Sequence, residues 1–275
     1  MKQLLVLDHS TASLVDTKFL IKYYKHIMDP LDPRNDGSHV HDCYEFYFNL
    51  SGNVSFFVNN RLYPIKKGDI IFTRPGDIHF CVYHEKTLHE FFCLWISAEE
   101  TSCITEFTEN FFKDNFYSCY DHCEEISDIL FRLDSASKKD NKLAQTAEIL
   151  NFLLFLDEKR NDHPILPPSS LPLEIQRIVD DINDNFTEIR SVTDILERHY
   201  ISQATLNRRF RKYMQISPRV FLETKKLTYA KKLLAAGASV TDACFQAGFS
   251  DCSHFISVFK QKFGETPYKY KCKCK

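Results

Sequence analysis

The chain has 275 residues, 44% hydrophobic and 26% charged, which suits two globular domains with sizeable cores. It holds only 7 glycines and no G-x-G-x-x-G, G-x-x-x-x-G-K or G-x-S-x-G, so the local signatures of dinucleotide folds, phosphate loops and nucleophile elbows are missing. The net charge of −2 hides a division: residues 1–171 carry 17 basic and 26 acidic side chains, residues 172–275 carry 18 and 11, and from Ser202 onward the count is 15 to 4. A basic terminal domain on an acidic one points to a polyanion partner.

At the start, Leu4-Leu-Val-Leu7 is too short for a signal-peptide core, and no stretch approaches the ~20 apolar residues of a membrane span. With no export signal, the ten cysteines read as reduced thiols, so a cytoplasmic protein with no membrane partner is expected. Cys119-x-x-x-Cys123 and Cys272-Lys-Cys274 lack second pairs at zinc spacing, and no cofactor is required.

From Tyr44 to Ile96, β-rich runs alternate with turn signals: Tyr44–Leu50, Val54–Val58, Asp69–Phe72 and Glu90–Ile96. Asn59-Asn60 is a plausible hairpin turn, and short strands at this spacing predict a barrel or sandwich. Within the run, His39-x-His41-x-x-x-Glu45 with Gly52 precedes Gly68-Asp69 and Pro75-Gly76-x-x-His79. Residues 39, 41 and 45 share parity and so face one side of an extended strand. The set resembles the two-part motif of the cupin barrel, whose two His, Glu and later His converge inside as metal ligands. Three readings stay open: an effector pocket, a divalent metal site for Fe, Mn, Ni or Zn, or internal hydrogen bonding. Trp95 reads either as a sugar-stacking wall of that pocket or as an ordinary core aromatic.

Two helical patterns follow, about 123–135 (Ile126, Ile129, Leu130, Leu133) and 143–156 (Ala147, Leu150, Leu154), each with one apolar stripe. Packing on the barrel or self-association would cover the stripes, and a homodimer is expected. Residues 163–172 then contain four of the ten prolines and read as a semi-rigid linker. The expected domains are therefore 1–162, a linker at 163–172, and 173–275.

The last domain repeats itself. Ser191-Val-Thr-Asp194 recurs as Ser239-Val-Thr-Asp242, each a helix start with a capping Ser and an acidic residue three later. After a helix and a tight turn comes another cap in each copy, Ser202 and Asp251, then apolar pairs four apart, Leu206/Phe210 and Phe255/Phe259. Helix, turn and helix with a free polar face thus occur twice. Ser217-Pro218 opens a helix that would join the units and stop at Gly237.

Leu206-x-Arg208-x-Phe210, Lys226-Leu227-x-x-Ala230-x-x-Leu233-Leu234, Gly248-Phe249-x-Asp251 and Phe255-x-x-x-Phe259-Lys260-x-x-x-Gly264-x-x-Pro267 resemble the AraC/XylS family of transcription regulators. The resemblance implies an α+β chain: an N-terminal cupin-like β-barrel with a helical dimerisation pair, then an all-α double helix-turn-helix. It also implies recognition helices that present Gln203, Ala204, Asn207 and Arg208, and Cys252, Ser253, His254 and Ser257, to base edges in major grooves. Gln and Asn suit adenine and Arg suits guanine; Arg209, Arg211, Lys212, Lys260 and Lys262 suit phosphates. The longer side chains of the first head should carry most of the sequence specificity. Departures are Gln215 for the turn Gly, Ser257 for the usual Arg, and Ala243-Cys244 for an apolar-Ala pair.

The expected function is a regulator, not an enzyme, that binds promoter DNA and responds to a small effector, a sugar or related metabolite. RNA polymerase is a further candidate partner. A metal-dependent cupin enzyme fused to a DNA-binding domain, and a regulator whose cupin only dimerises, are the competing readings.

Overall fold

In a computed structural model of the protein, the described residues are 19–29, 40–41, 43–58, 60–97, 116–118, 122–139, 141–159 and 171–274. His39, Cys119 and residues 163–170 of the Pro-rich segment lie outside them. The chain divides into two compact units, the first within Met1–Ser169 and the second formed chiefly by Ser170–Lys275.

The described strands of the first unit are β1 (Phe19–Met28), β2 (Cys43–Ser51), β3 (Val54–Val58), β4 (Arg61–Ile65), β5 (Asp69–Thr73), β6 (His79–Tyr83), β7 (Thr87–Ser97) and β8 (Phe116–Ser118). They form a five-stranded sheet, ordered β1-β7-β2-β5-β8, and a three-stranded one, β4-β3-β6. The expected barrel is thus two facing ladders rather than one closed ring. Part of the reason is local. Pairing of β2 with β7 slips between Asn49 and Ser51, a bulge that bends the strand just before the chain leaves for the other sheet.

The central strand β2 explains why Tyr44–Leu50 is almost unbroken apolar and aromatic: both its faces are covered. Even residues Tyr44, Phe46 and Phe48 enter a core with Phe72, Phe92, Leu94 and two helices, α1 (Cys123–Ser137) and α2 (Lys142–Lys159). Odd residue Tyr47 enters a second core between the sheets, with Val54, Phe56, Tyr63, Tyr83, Phe91 and Cys93. The layers are therefore sheet, sheet and helix pair.

The helix pair exists as expected, but its packing corrects the expected stripes. On α1 the stripe Ile126, Ile129, Leu130 and Leu133 is buried on the large sheet, so it is not left without a partner. On α2 the inward residues are Ile149, Phe152, Leu153, Phe155 and Leu156, not Ala147, Leu150 and Leu154. The helix carries apolar residues on two faces, and the bulkier Ile/Phe face wins the sheet because it removes more apolar area from water.

In the second unit, α3 (Leu173–Asn185) is followed by α4 (Val192–His199), α5 (Gln203–Met214), α6 (Pro218–Ala235), α7 (Val240–Gln246), α8 (Cys252–Phe263) and α9 (Pro267–Lys273). The caps read from the repeat are all in place. Ser191 accepts from Thr193 N at 3.2 Å, Ser202 from Thr205 N at 3.3 Å, Ser239 from Asp242 N at 3.0 Å, and Asp251 from Ser253 N at 2.9 Å. Asp194 reaches back to Arg190 N at 2.7 Å, which satisfies a backbone donor just ahead of the helix. Ser217 caps α6, which has Pro218 in its first turn, as the sequence indicates.

The linking helix α6 packs on both helix-turn-helix units. Phe221 meets Phe210 of α5 with ring centroids 6.2 Å apart. Leu227, Ala230 and Leu234 share a core with Ala243 and Cys244 of α7 and Phe255 and Phe259 of α8.

Candidate effector pocket and nucleic-acid interface

The inner face of β2 carries polar side chains at positions 45, 47 and 49, the same parity that the motif residues follow. Glu45 is 2% exposed and His79 1%, and their Oε2 and Nε2 stand 2.8 Å apart. His41 Nε2 approaches the same oxygen at 3.3 Å. A turn positions the two histidines. Pro75-Gly76 occupies its centre, Asp77 N donates to Arg74 O at 3.0 Å, and Gly76 takes φ +85°, which an L side chain adopts with strain. Gly76 N then donates to His41 O at 2.9 Å, tying the turn to the start of β2. Trp95 sits opposite Glu45 in the β2–β7 register, its ring 6.1 Å from that of His41. So His41, Glu45, His79 and Trp95 do converge; His39 is outside the described residues.

Burial by itself would push the Glu45 carboxyl up, but hydrogen bonds and positive charge from His41 and His79 outweigh it and hold the group well below the usual carboxylate range. His79 Nδ1 lies 2.9 Å from Asp77 O, which fits an N–H donated there. Its Nε2 faces the Glu45 oxygen, so the ring bridges a backbone carbonyl and a buried carboxylate. The ligating atoms of His41, Glu45 and His79 lie within 4.8 Å of one another, the one such group among the described residues.

A second polar cluster further along the same face was missed in the sequence. His89 of β7 is fully buried. Its Nε2 is 2.6 Å from Tyr47 Oη and 3.2 Å from Asn49 Oδ1, and its Nδ1 is 3.0 Å from Tyr83 Oη. With the ring neutral, Tyr83 donates to Nδ1 while Nε2–H serves Tyr47 and Asn49. Burial, then the nearby His26, lowers the His89 pKa to about 4, so the neutral form is the resident one. The Cys81 thiol donates to Tyr47 at 3.5 Å, and burial pushes it up to about 11. The available signal was parity: 89 alternates with Phe91, Cys93 and Trp95, and 47 and 49 with Glu45. Three buried polar atoms here have no hydrogen-bond partner: Asn49 Nδ2, Thr73 Oγ1 and Trp95 Nε1. A cleft of about 420 Å³ beside α1, lined by Leu50, Lys67, Cys123, Ser127 and Phe131 among others, shares no residue with these clusters.

In the second unit, α4 and α5 form one helix-turn-helix and α7 and α8 the other. Their turns differ. The first uses Tyr200 in the left-handed region (φ +50°), and the second uses Gly248 at φ +81°. A Cβ on Gly248 would stand 2.4 Å from Thr187 O, so the close approach of backbone to backbone requires glycine. Lys226 of α6, buried and lowered in pKa mainly by that burial, donates to Gly248 O at 2.7 Å. This buried cation was also not foreseen.

Leu206 and Phe210 of α5, and Phe255 and Phe259 of α8, are fully buried, which aims the opposite faces outward. Gln203, Ala204, Asn207, Arg208, Arg211 and Lys212 are exposed on α5, as are Ser253, His254, Ser257 and Lys260 on α8. Cys252 and Lys262 are half-buried. Some members of the set have partners inside the unit: Arg209 pairs with Glu174 of α3, and His254 Nε2 lies 3.2 Å from Glu223 Oε1 of α6.

A family model described as an AraC-like ligand binding domain matches residues 32–114, and one described as a helix-turn-helix domain matches residues 195–272. The chain is 27% identical over 233 residues to the uncharacterized HTH-type transcriptional regulator YbfI of Bacillus subtilis, covering 79% of this chain and 80% of that one. It is 24% identical over 238 residues to the HTH-type transcriptional activator RhaS of Escherichia fergusonii (83% and 85% covered). With the HTH-type transcriptional activator RhaR of Mannheimia succiniciproducens it shares 21% identity over 280 residues, covering 98% of each chain.

Proposed function

The chain belongs to the AraC/XylS family of transcription regulators and is an effector-responsive DNA-binding regulator; from that premise we propose that its effector is an uncharged polyhydroxylated metabolite of the sugar class, bound between the two sheets. The observation that carries this reading is the set of buried, unpartnered polar atoms on the inner face of the large sheet: Asn49 Nδ2 beside Tyr47 and His89, and Thr73 Oγ1 and Trp95 Nε1 at the strand positions opposite Glu45. Each orphan costs roughly 1–3 kcal/mol, a cost that ligand hydroxyls would offset. Hydroxyls both donate and accept, which suits a neutral mixed set better than a second charge would. Trp95 supplies an apolar ring face for the carbons of such a ligand.

The base-reading residues are Gln203, Ala204, Asn207 and Arg208 of α5 and Cys252, Ser253 and Ser257 of α8, with His254 held by Glu223 until DNA competes for it. Lys260, Lys262, Arg211 and Lys212 grip phosphates, and Arg209 joins them only on leaving Glu174. The relatives described as activators support activation; contact with RNA polymerase is the route we propose for it. A homodimer forms through the outward row of α2.

A panel of monosaccharides and polyols added to the full chain tests the effector. One of them should raise the melting temperature in proportion to ln[ligand], because binding to the native state stabilises by mass action. The reading fails if only apolar acids, or no metabolite at all, produce the rise.

A second reading has its own observation, the convergence of the His41, Glu45 and His79 ligating atoms within 4.8 Å of one another. His41, Glu45 and His79 would supply two imidazoles and a carboxylate to a divalent cation, which would link the strand to the turn. Metal content of the purified chain and its melting temperature with and without chelator decide this; a stoichiometric metal whose removal lowers stability supports it.

A further inference from the structure

The two helix-turn-helix units share a left-handed turn and fill it with opposite residues. At the end of α4, Tyr200 takes φ +50° and ψ +43°, and its N–H and that of Ile201 both donate to Leu196 O. In the second unit the left-handed residue between the helices is Gly248, where a Cβ would meet Thr187 O at 2.4 Å. A left-handed residue that closes a helix is ordinarily Gly or Asn, and a bulky side chain adopts that backbone with strain. Nothing inside the unit offsets the strain at Tyr200. The residue is 97% exposed, the highest value among the exposed large apolar and aromatic side chains described, and among the described residues its ring and hydroxyl have no partner. By contrast, Tyr229 and Tyr270 of the same unit lie against Phe186 and Phe259, with ring centroids 5.4 and 6.1 Å apart.

Its place in the chain says what it faces. Ile201 and Ser202 follow, and Ser202 caps α5, the first recognition helix. In a helix-turn-helix the first helix crosses the sugar–phosphate backbone while the second enters the major groove, so the turn joining them lies at the rim of the groove, over a phosphate strand. The two basic residues in the last turn of α4 are held elsewhere. Arg198 Nη1 donates to Asp181 Oδ1 at 3.1 Å, and His199 Nε2 lies 2.8 Å from Asp181 Oδ2. A phosphate at that corner therefore meets a phenol, and phosphate oxygens accept what a Tyr hydroxyl donates.

We propose that Tyr200 is a backbone contact of the first reading head: its hydroxyl donates to a phosphate oxygen at the rim of the groove that α5 enters. The proposal rests on the reading that places α5 in that groove. Because the donor is neutral, the contact adds affinity without neutralising a phosphate, and so without releasing a counterion as Lys or Arg would. It positions the head and carries no sequence information. The strained turn is thereby kept for DNA rather than for the fold.

The test uses the full chain and duplexes that it selects from a randomised-site library. Tyr200→Phe keeps the ring and removes the hydroxyl; it should weaken binding about ten-fold, the worth of one hydrogen bond to a charged acceptor. The loss should fall equally on every selected sequence, and the slope of log affinity against log salt should not change. Ethylation of one phosphate should block the wild-type chain and make no difference to Tyr200→Phe. That phosphate should flank the base pair whose preference Arg208→Ala relaxes. Tyr200→Gly should bind as weakly as Tyr200→Phe or more so, at a melting temperature no lower than that of the wild type, because glycine takes the left-handed turn without strain. Wild-type affinity in Tyr200→Phe overturns the proposal. So does a loss of binding that comes with a lower melting temperature in both variants, since that marks a structural role. If Arg208→Ala keeps its base preference while Tyr200→Phe still loses the ethylation effect, the phosphate contact stands and the placement of α5 in the groove falls.

Discussion

Arg208 and Lys260 are both exposed and positively charged, yet they should fail differently when removed. Arg208 stands on the outward face of the first recognition helix, where a planar fork can take a guanine edge, a contact worth roughly 1–3 kcal/mol of discrimination. Arg208→Ala should therefore relax base preference at one position in a randomised-site selection. Lys260 lies in the last turn of α8, among residues suited to phosphates. Lys260→Ala should weaken binding to all sequences alike and reduce the salt slope by about 1. Equal loss of preference in both variants would remove the distinction. His89 offers a test in the other unit. Its folded pKa of about 4 lies below the value near 6.5 of an exposed imidazole, so the unfolded chain binds the extra proton between those limits. Stability is complete above about pH 6.5 and declines as pH falls toward 4, by about 3 kcal/mol in all. The ring of His26 lies 6.4 Å from that of His89, and Tyr47, Tyr83 and Asn49 are the others facing it. In His89→Gln, melting followed from pH 7 to 4 should lose that part of the decline.

On the scale of elements, the outward row of α2 carries the dimer prediction. Leu143 is 74% exposed and Leu154 41%, with Ala147 exposed and Leu150 half-buried between them, and Phe131 of α1 is 46% exposed. Spacings of 4, 3 and 4 put the row on one side of the helix. Leu150→Glu with Leu154→Glu should shift a dimer seen by sedimentation at about tens of micromolar to monomer, without lowering the melting temperature of the monomer. Persistence of the dimer would move the interface elsewhere. The same helix marks where reading the sequence stops working. Its existence was legible from apolar spacing, but which of its two apolar faces meets the sheet depends on a partner surface far away in the chain. The repeated caps of the second unit were legible because Ser or Asp bonds its own next turn, a local event. Glu45, His41 and His79 were legible through their spacing. Tyr47, Asn49, Tyr83 and His89 were not, since a Tyr or His in an aromatic-rich strand looks like core until the facing strand supplies its hydrogen-bond partner. Lys226 was read only as a family position; its partner is a carbonyl in the turn between two other helices.

For the whole molecule, the basic excess from Ser202 onward acts on ions before it acts on bases. Each phosphate neutralised releases counterions, so duplex affinity should fall steeply between about 50 and 200 mM salt, by about a thousand-fold if six or so phosphates are met. Affinity that does not respond to salt would contradict the placement of the charge.

The linking helix α6 has 18 residues, a rod of about 27 Å. It is fastened at both ends: Phe221 to Phe210, and Lys226 to the carbonyl of Gly248, with Lys231 over the rings of Phe263 and Tyr270 at 4.5 and 4.9 Å. Such a rod sets a phase as well as a distance. B-form DNA turns about 34° and rises about 3.4 Å per base pair, so one base pair inserted between the two segments read by this protein carries one of them around the duplex, out of reach of a partner that cannot twist to follow. The promoter sequence is thus constrained twice, once by the bases under each helix and once by the count of bases between them, and the second constraint is kept by side chains that never touch DNA.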